Sequence, residues 1–293
     1  MVPFIRLVRN SWVAHQFAAR IGPRERRNGQ ERIMSGEEAA CELAALLSMM
    51  GALAICSWYG FRHCYKVWWL TPVIFLGIMY ASYAARYEHG LWYPYDFPHL
   101  LIFGAACVCI LTERPRAFFV LFLIDLPFRE TSIYLILLSL AFTVRRLSKR
   151  QAVLTASCMF LCWLAVRLAI VHRFHGNPSE MGGRMIRNLK YAVAPGDTPT
   201  VLSALGFLLI PVWLAKKRLN AVARWFLWLS LPCFLITFYF GMLIETRIFV
   251  EWTIPFAVLA TQELISYLEL ASWAPNRLHA QPSKGGTSIR VES

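Results

Sequence analysis

Charge is what this sequence has least of for its length. Asp, Glu, Lys and Arg make up 16% of its 293 residues, against about 25% in soluble domains, which excludes an ordinary soluble surface. Acid is the scarcer sign, with 17 Asp and Glu against 30 Lys and Arg, for a net charge of +13. In a soluble chain that excess would suggest nucleic acid. Here most Lys and Arg stand in short breaks between apolar runs, as orientation signals of membrane proteins do, so no nucleic-acid partner is expected. No C-x-x-C pair occurs, and nearly all of the eight cysteines lie inside apolar runs. Neither a disulfide framework nor a zinc site is indicated, and the thiols read as small hydrophobes in helix packing. The sequence also lacks G-x-x-x-x-G-K-S/T, G-x-G-x-x-G after a strand, H-E-x-x-H and G-x-S-x-G. These absences argue against ATP hydrolysis, nucleotide-cofactor redox and standard zinc proteolysis.

What is present is apolar: 57% hydrophobic residues and a mean hydropathy of +0.47. The long runs cover residues 39–59, 67–85, 97–111, 152–171, 201–215, 225–243 and 248–267. Two short runs, 117–126 and 132–144, flank Asp125, Pro127, Arg129 and Glu130. Most of these lengths suit helices rather than barrel strands of about 10 alternating residues, and backbone groups in lipid must be satisfied within the segment. The expectation is an all-α polytopic transmembrane bundle of about eight or nine membrane segments. It includes a short broken helical hairpin at the two short runs. Pro127 removes a donor and disfavours helix at Leu126, which places the break at the hairpin tip.

Three regions follow, at 1–34, 35–270 and 271–293. The first holds seven Arg against Glu25 and Glu31, without the continuous apolar stretch of a cleaved signal peptide. It is read as a basic amphipathic membrane-surface helix, a targeting segment, or sequence upstream of a true start at Met34. The last is Pro/Gly/Ser-rich and expected to be a disordered cytoplasmic tail. The basic breaks orient the spans. Arg145, Arg146, Lys149 and Arg150 are cytoplasmic, as are Lys216, Lys217, Arg218 and Arg224. Residues 86–97 and 172–199, and the Arg129-Glu130 tip, then face outward. The seven Arg of 1–34 conflict with this parity.

The unusual polar residues collect at the outward side. Asp96, with Glu88, His89 and His99, lies in an aromatic-rich loop that either anchors at headgroups or offers a general base. Arg129 and Glu130, beside Asp125, form either a structural ion pair or the wall of a cavity. Glu245, Arg247 and Glu251 stand at the mouth of the last span, where Arg247 and Glu251 share a helical face and Pro255 is expected to kink the helix. Arg184, Arg187 and Lys190 fall on one face of any short helix in GGRMIRNLKYAV. That face suits either a diphosphate or anionic lipid headgroups. No cofactor is indicated. A divalent metal has no matched ligand spacing behind it, even with His172 and His175 near His89 or Asp96.

Tyr95-Asp96 before an apolar run, Arg129-Glu130-Thr131 opening another, and Glu245-x-Arg247 followed by Pro255 resemble bacterial multi-pass glycosyltransferases of the C superfamily, which use polyprenyl-phosphate sugars. The likeness covers residues 86–260 through motifs of three or four letters. It implies Asp96 as the outer-loop acid and Arg129, Glu130, Glu245 and Arg247 as polar cavity positions. The mechanism expected from this makes Asp96 and Glu130 catalytic, and Arg129, Glu245 and Arg247 substrate-binding together with the Arg184, Arg187 and Lys190 face. The implied partners are membrane lipids and a polyprenyl-phosphate-linked sugar, with the inner cell membrane as location. The chain departs from that pattern in having fewer spans and no acidic pair in an early outer loop. A transporter or flippase for an amphipathic lipid or solute, and a non-catalytic membrane subunit, are the other readings. The orientation predicts that single cysteines placed in 86–97 and 172–199 react with an impermeant maleimide added outside intact cells. Labelling only after permeabilisation would reverse the bundle.

Overall fold

The computed structural model describes residues 25–27, 30–32, 36–82, 96–173, 185–193, 208–214, 216–241 and 246–267. Helices dominate: α1 (Gly36–His63), α2 (Leu70–Ser82), α3 (Asp96–Leu111), α4 (Pro115–Asp125) and α5 (Ile133–Arg146). After them come α6 (Lys149–Arg173), α7 (Met185–Val193), α8 (Leu209–Leu214), α9 (Ala221–Phe240) and α10 (Thr253–Tyr267). Three of these, α1 from Ala40 onward, α6 and α9, are long and apolar enough to cross a membrane. The chain is accordingly a membrane protein built of helices. At 1.5 Å per residue, α4 and α5 reach only about 16 and 21 Å, well short of a bilayer core of about 30 Å.

The all-α expectation meets one exception. Glu25–Arg27 and Gln30–Arg32 pair as antiparallel strands β1 and β2, with Glu25 opposite Arg32 and Arg26 opposite Glu31. The intervening dipeptide in the sequence is Asn-Gly, the strongest short-range hairpin signal, and the register sets opposite charges across the pair. An amphipathic helix therefore does not extend over these residues. The rest of 1–34, and the tail 271–293, lie outside the described residues.

Basic residues mark one end of the bundle. Arg114 lies over the Trp58 ring at 4.7 Å near the end of α1, and Arg218 lies over Tyr267 at 4.8 Å at the end of α10. Glu113, held at φ 55° in the turn between α3 and α4, accepts hydrogen bonds of 3.0 and 2.7 Å from Arg146 at the end of α5. From that end α3 runs back to Asp96, α4 runs forward to Asp125 and α5 runs back to Ile133. All three meet at the opposite end. Between α4 and α5 the chain breaks at Pro127, as its missing donor requires. A 3-10 turn over Glu130–Ser132 then leads into α5, with Ser132 Oγ donating to the Arg129 carbonyl at 2.8 Å.

The apolar core runs through α3, α5, α9, α10 and the turn before α10, where Phe103, Leu135, Phe226, Phe256 and Trp252 are fully buried. Trp252 is boxed by Phe234 (4.7 Å), Phe103 (5.5 Å), Tyr134 (6.2 Å) and Phe226 (6.5 Å). The expected last span from 248 is divided. A 3-10 segment occupies Thr246–Trp252 and the α-helix starts only at Thr253. Pro255 consequently sits in the first turn of α10, where no backbone donor is needed, and produces no kink within a long span. Gln262 Nε2 donates to Tyr59 Oη at 2.7 Å, joining α10 to α1 across 203 positions.

Two glycines permit close approaches that a side chain would block. A Cβ on Gly104 in α3 would lie 2.5 Å from Ile254 Cδ1 and 2.8 Å from its Cβ. A Cβ on Gly60 would lie 2.1 Å from the Trp68 carbonyl oxygen, a backbone atom that cannot rotate away. Overpacking of a tight core typically costs about 1–3 kcal/mol. Gly60→Ala and Gly104→Leu are expected to lower the melting temperature in detergent, whereas Gly77→Ala, with nothing within 4 Å, should hold or raise it. Equal melting of all three would refute the close-approach account.

Candidate functional site

At the end of the bundle away from Arg114, six polar side chains converge from four parts of the chain. Asp96 and His99 come from the first turn of α3. Asp125 closes α4, Arg129 and Thr131 come from the break before α5, and Glu251 comes from the 3-10 segment before α10. His99 is the hub and is fully buried, as are Asp125 and Glu251. Its Nδ1 lies 2.8 Å from Asp125 Oδ1, and its Nε2 lies 2.8 Å from Glu251 Oε2. Thr131 Oγ1 donates to Glu251 Oε2 at 2.9 Å and stands 3.0 Å from His99 Nε2. The Arg129 guanidinium spans the remaining edge, 3.5 Å from Asp96 Oδ1 and 3.6 Å from Glu251 Oε2. With a side chain 16% exposed against 1% or less for its acidic partners, Arg129 is the more accessible partner in both pairs.

Local structure explains why these side chains meet. His99 follows Asp96 by three positions at the start of α3, so both lie over neighbouring turns of one face. Asp96 in the first turn also complements the positive end of the helix. The tight 3-10 turn rotates successive residues by about 120°, so only part of Arg129-Glu130-Thr131 faces inward. Thr131 enters the cluster, and Glu130 is exposed. The Glu130 carbonyl accepts from Trp163 Nε1 at 3.3 Å, and the Leu126 carbonyl from Arg167 Nη2 at 3.0 Å. Two α6 side chains one turn apart thus brace the break.

Hydrogen-bond accounting constrains the protons. An ionised carboxylate only accepts, so a histidine whose two ring nitrogens each face one must carry both N–H groups, or share a proton with a neighbouring acid. Thr131 gives its single proton to Glu251 and accepts from the Nε2–H, which is therefore divided between two acceptors. With an imidazolium at the centre, the three acids Asp96, Asp125 and Glu251 have two cations among them, His99 and Arg129. Arg167 adds a longer-range positive charge that acts on Glu130 and on Asp125. Such pairing is what lets ionisable groups persist in an apolar bundle. Asp125 Oδ2 and Glu251 Oε1 are buried and take no hydrogen bond among the described residues, so each remains available as an acceptor.

Of the residues singled out from sequence, Asp96 and Arg129 are brought together here. Glu251 takes the acidic place that the sequence assigned to Glu130. Residues 246–252 form a 3-10 helix rather than the expected α-helix on which positions 247 and 251 would share a face. Arg187 and Lys190 lie on α7, exposed, within the expected short helix. That helix is fastened to the end of α9 by Asn188 Nδ2, which donates to the Phe238 and Gly241 carbonyls. Glu245, Arg184 and the Arg247 side chain lie outside the described residues. Among those described, no group of three or more His, Cys, Asp or Glu side chains is arranged to hold a metal ion.

Sequence reasoning named His99, Thr131, Asp125 and Glu251 among the polar candidates but gave none of them a catalytic or binding role, although a lone ionisable group inside an apolar run is itself a signal. Glu251, between Val250 and Trp252, carries it most clearly. Removing one member of a buried ion cluster typically costs about 3–5 kcal/mol. His99→Phe, which leaves Asp125 and Glu251 facing an apolar ring, is expected to melt far below wild type in detergent, and Glu130→Gln to match wild type. A His99→Phe protein as stable as wild type would remove the hub from this account. Compared with known proteins, the chain matches no protein-family model, no curated sequence and no solved structure.

Proposed function

We propose that the chain is a multi-pass protein of the inner cell membrane, crossing it with about eight or nine segments. In this reading it transfers a sugar from a polyprenyl-phosphate carrier to an acceptor in cell-envelope polysaccharide or glycolipid synthesis. The observation that carries the proposal is the Asp96–Arg129 pair at the edge of a buried proton-sharing cluster. A glycosyl transfer of this type needs a base for the acceptor hydroxyl and a cation for the departing phosphate, and the pair supplies one of each.

In the proposed mechanism Asp96 accepts the proton of the acceptor hydroxyl as its oxygen attacks the anomeric carbon. The bond from that carbon to the carrier phosphate oxygen breaks, and the phosphate leaves with its charge balanced by Arg129. Engaging the phosphate loosens the hold of Arg129 on Asp96 and frees the carboxylate to act as a base. Glu251, anchored by His99 and Thr131, keeps Arg129 in position, and Asp125 fixes the imidazole from its other side. Arg187 and Lys190 are too little enclosed to be assigned more than attraction for the carrier's charge.

A second reading has its own support. A histidine shared between two buried carboxylates is also the arrangement of a proton relay, and broken helices with paired charges recur in transporters. One assay separates the two, using purified protein in liposomes with a radiolabelled polyprenyl-phosphate hexose and a soluble acceptor. The transferase reading expects a new glycosidic product. Asp96→Asn should slow its formation by about 10²–10⁴-fold, the usual contribution of a general base, and Glu130→Gln should leave it near wild type because that side chain points away. Product formation indifferent to Asp96→Asn would sink the assignment. Movement of the labelled lipid across the bilayer with no product would favour the transporter.

A further inference from the structure

Helix α6 is the most uncovered part of the bundle: Val153, Leu154, Leu161, Leu168 and Val171 are all exposed. It packs chiefly on α5, and where it stands off from α4 a groove of about 340 Å³ opens between them. Phe119, Phe122 and Leu123 of α4 form one wall, and Leu154, Cys158 and Cys162 of α6 form the other. The lining is almost wholly apolar and open along one side. One helical turn beyond Phe122 and Leu123 stand Asp125 and Leu126, and one turn beyond Cys162 and Trp163 stands Arg167. The groove therefore leads to the point where Arg167 donates to the Leu126 carbonyl at 3.0 Å.

The groove and its head differ in chemistry. Phe119, Phe122 and Leu123 facing Leu154, Cys158 and Cys162 along two helices make an apolar trough, open along one side, that suits a flexible hydrocarbon chain. At the upper end Arg167 spends one nitrogen on the Leu126 carbonyl, while its Nε is buried and makes no hydrogen bond among the described residues. A guanidinium with an unspent donor at the head of an apolar groove is a matched pair for an anionic oxygen on a long chain. We infer that the α4–α6 groove binds one hydrocarbon chain of an anionic-headed lipid, entering sideways from the bilayer, with its phosphate oxygen at Arg167. The site stands on this geometry alone. Identifying the lipid with the sugar carrier rests in addition on the transferase reading.

The test uses the full chain in nanodiscs containing a phosphatidic acid or a phosphatidylcholine, each with a diazirine at the end of one acyl chain. Adducts are mapped by mass spectrometry after illumination. Adducts are expected to concentrate on 119–123 and 154–162, above those on Val153 and Leu168, which are 65% and 59% exposed on the same helix. Phosphatidic acid should be preferred by about tenfold, the scale of one charge-assisted hydrogen bond. Cys158→Trp, at an exposed wall position, should abolish the concentrated adducts by filling the groove. Arg167→Gln should abolish only the preference for the anion, and Arg167→Lys should retain part of it. Adducts spread evenly around α6 would mean ordinary annular lipid and overturn the site, and equal labelling by both lipids in wild type would overturn the anionic head. Because binding is read without turnover, concentrated adducts in a protein that forms no glycosidic product would leave the groove standing while the transferase reading falls.

Discussion

An imidazole clasped between two buried carboxylates, with the protons the three groups must share, is the constraint around which this bundle is arranged. An isolated ion in apolar surroundings is prohibitively costly, so each of Asp125, His99 and Glu251 is admissible only while the others are in place. That condition fixes the relative positions of α3, the end of α4 and the segment before α10 more tightly than apolar packing can, since packing tolerates sliding among side chains of similar volume. Thr131 and Arg129 extend the same logic to the break before α5. The cluster is thus a register device as well as a candidate reaction centre, and the two roles reinforce one another. A catalytic group must be held to a fraction of an ångström, and the cost of misplacing a buried charge enforces that.

Just below the polar layer lies an aromatic one. Trp252 follows Glu251 directly and is boxed by Phe103, Tyr134, Phe226 and Phe234. The 3-10 backbone makes this possible by sending adjacent residues to different surroundings, Glu251 to the ions and Trp252 to the rings. An α-helix continuing from 246 would distribute those residues at another pitch. The short helices α4 and α5 serve the same end, because their limited length sets the break between them beside His99 and Glu251.

Much of this was legible in the sequence, for physical reasons. Long apolar runs bounded by Lys and Arg announce helices in lipid, and runs 97–111, 152–171 and 225–243 fall on α3, α6 and α9. Pro127 announces the break because it has no backbone donor to continue the helix, although Leu126 before it keeps a helical backbone and its bond to the Phe122 carbonyl. Asp96 and Arg129 stood out as charges at the margins of apolar runs. What was not legible depends on contacts across the chain. Whether Glu130 or Thr131 turns inward is decided by the pitch of one turn, and nothing local distinguishes them. Glu251 was read through its nearer neighbour Arg247, whereas its partners His99 and Thr131 lie 152 and 120 positions away. The strand pairing at Glu25–Arg27 was obscured by the weight of arginine around it, although Asn-Gly was in view.

The 152 positions between His99 and Glu251 carry a consequence for how the protein is made. His99 and Asp125 leave the ribosome close together and can pair at once, but Glu251 follows only after on the order of 10–30 s of further synthesis at ordinary translation rates. Until then the imidazole has one carboxylate instead of two, and the Tyr59 hydroxyl of α1 awaits Gln262. The half-made bundle is therefore electrostatically incomplete as well as open, and a chain that stops before the Thr246–Trp252 segment exposes a mismatched ion pair to the quality-control machinery of the membrane. Completion of the last helix acts as the closing latch of assembly.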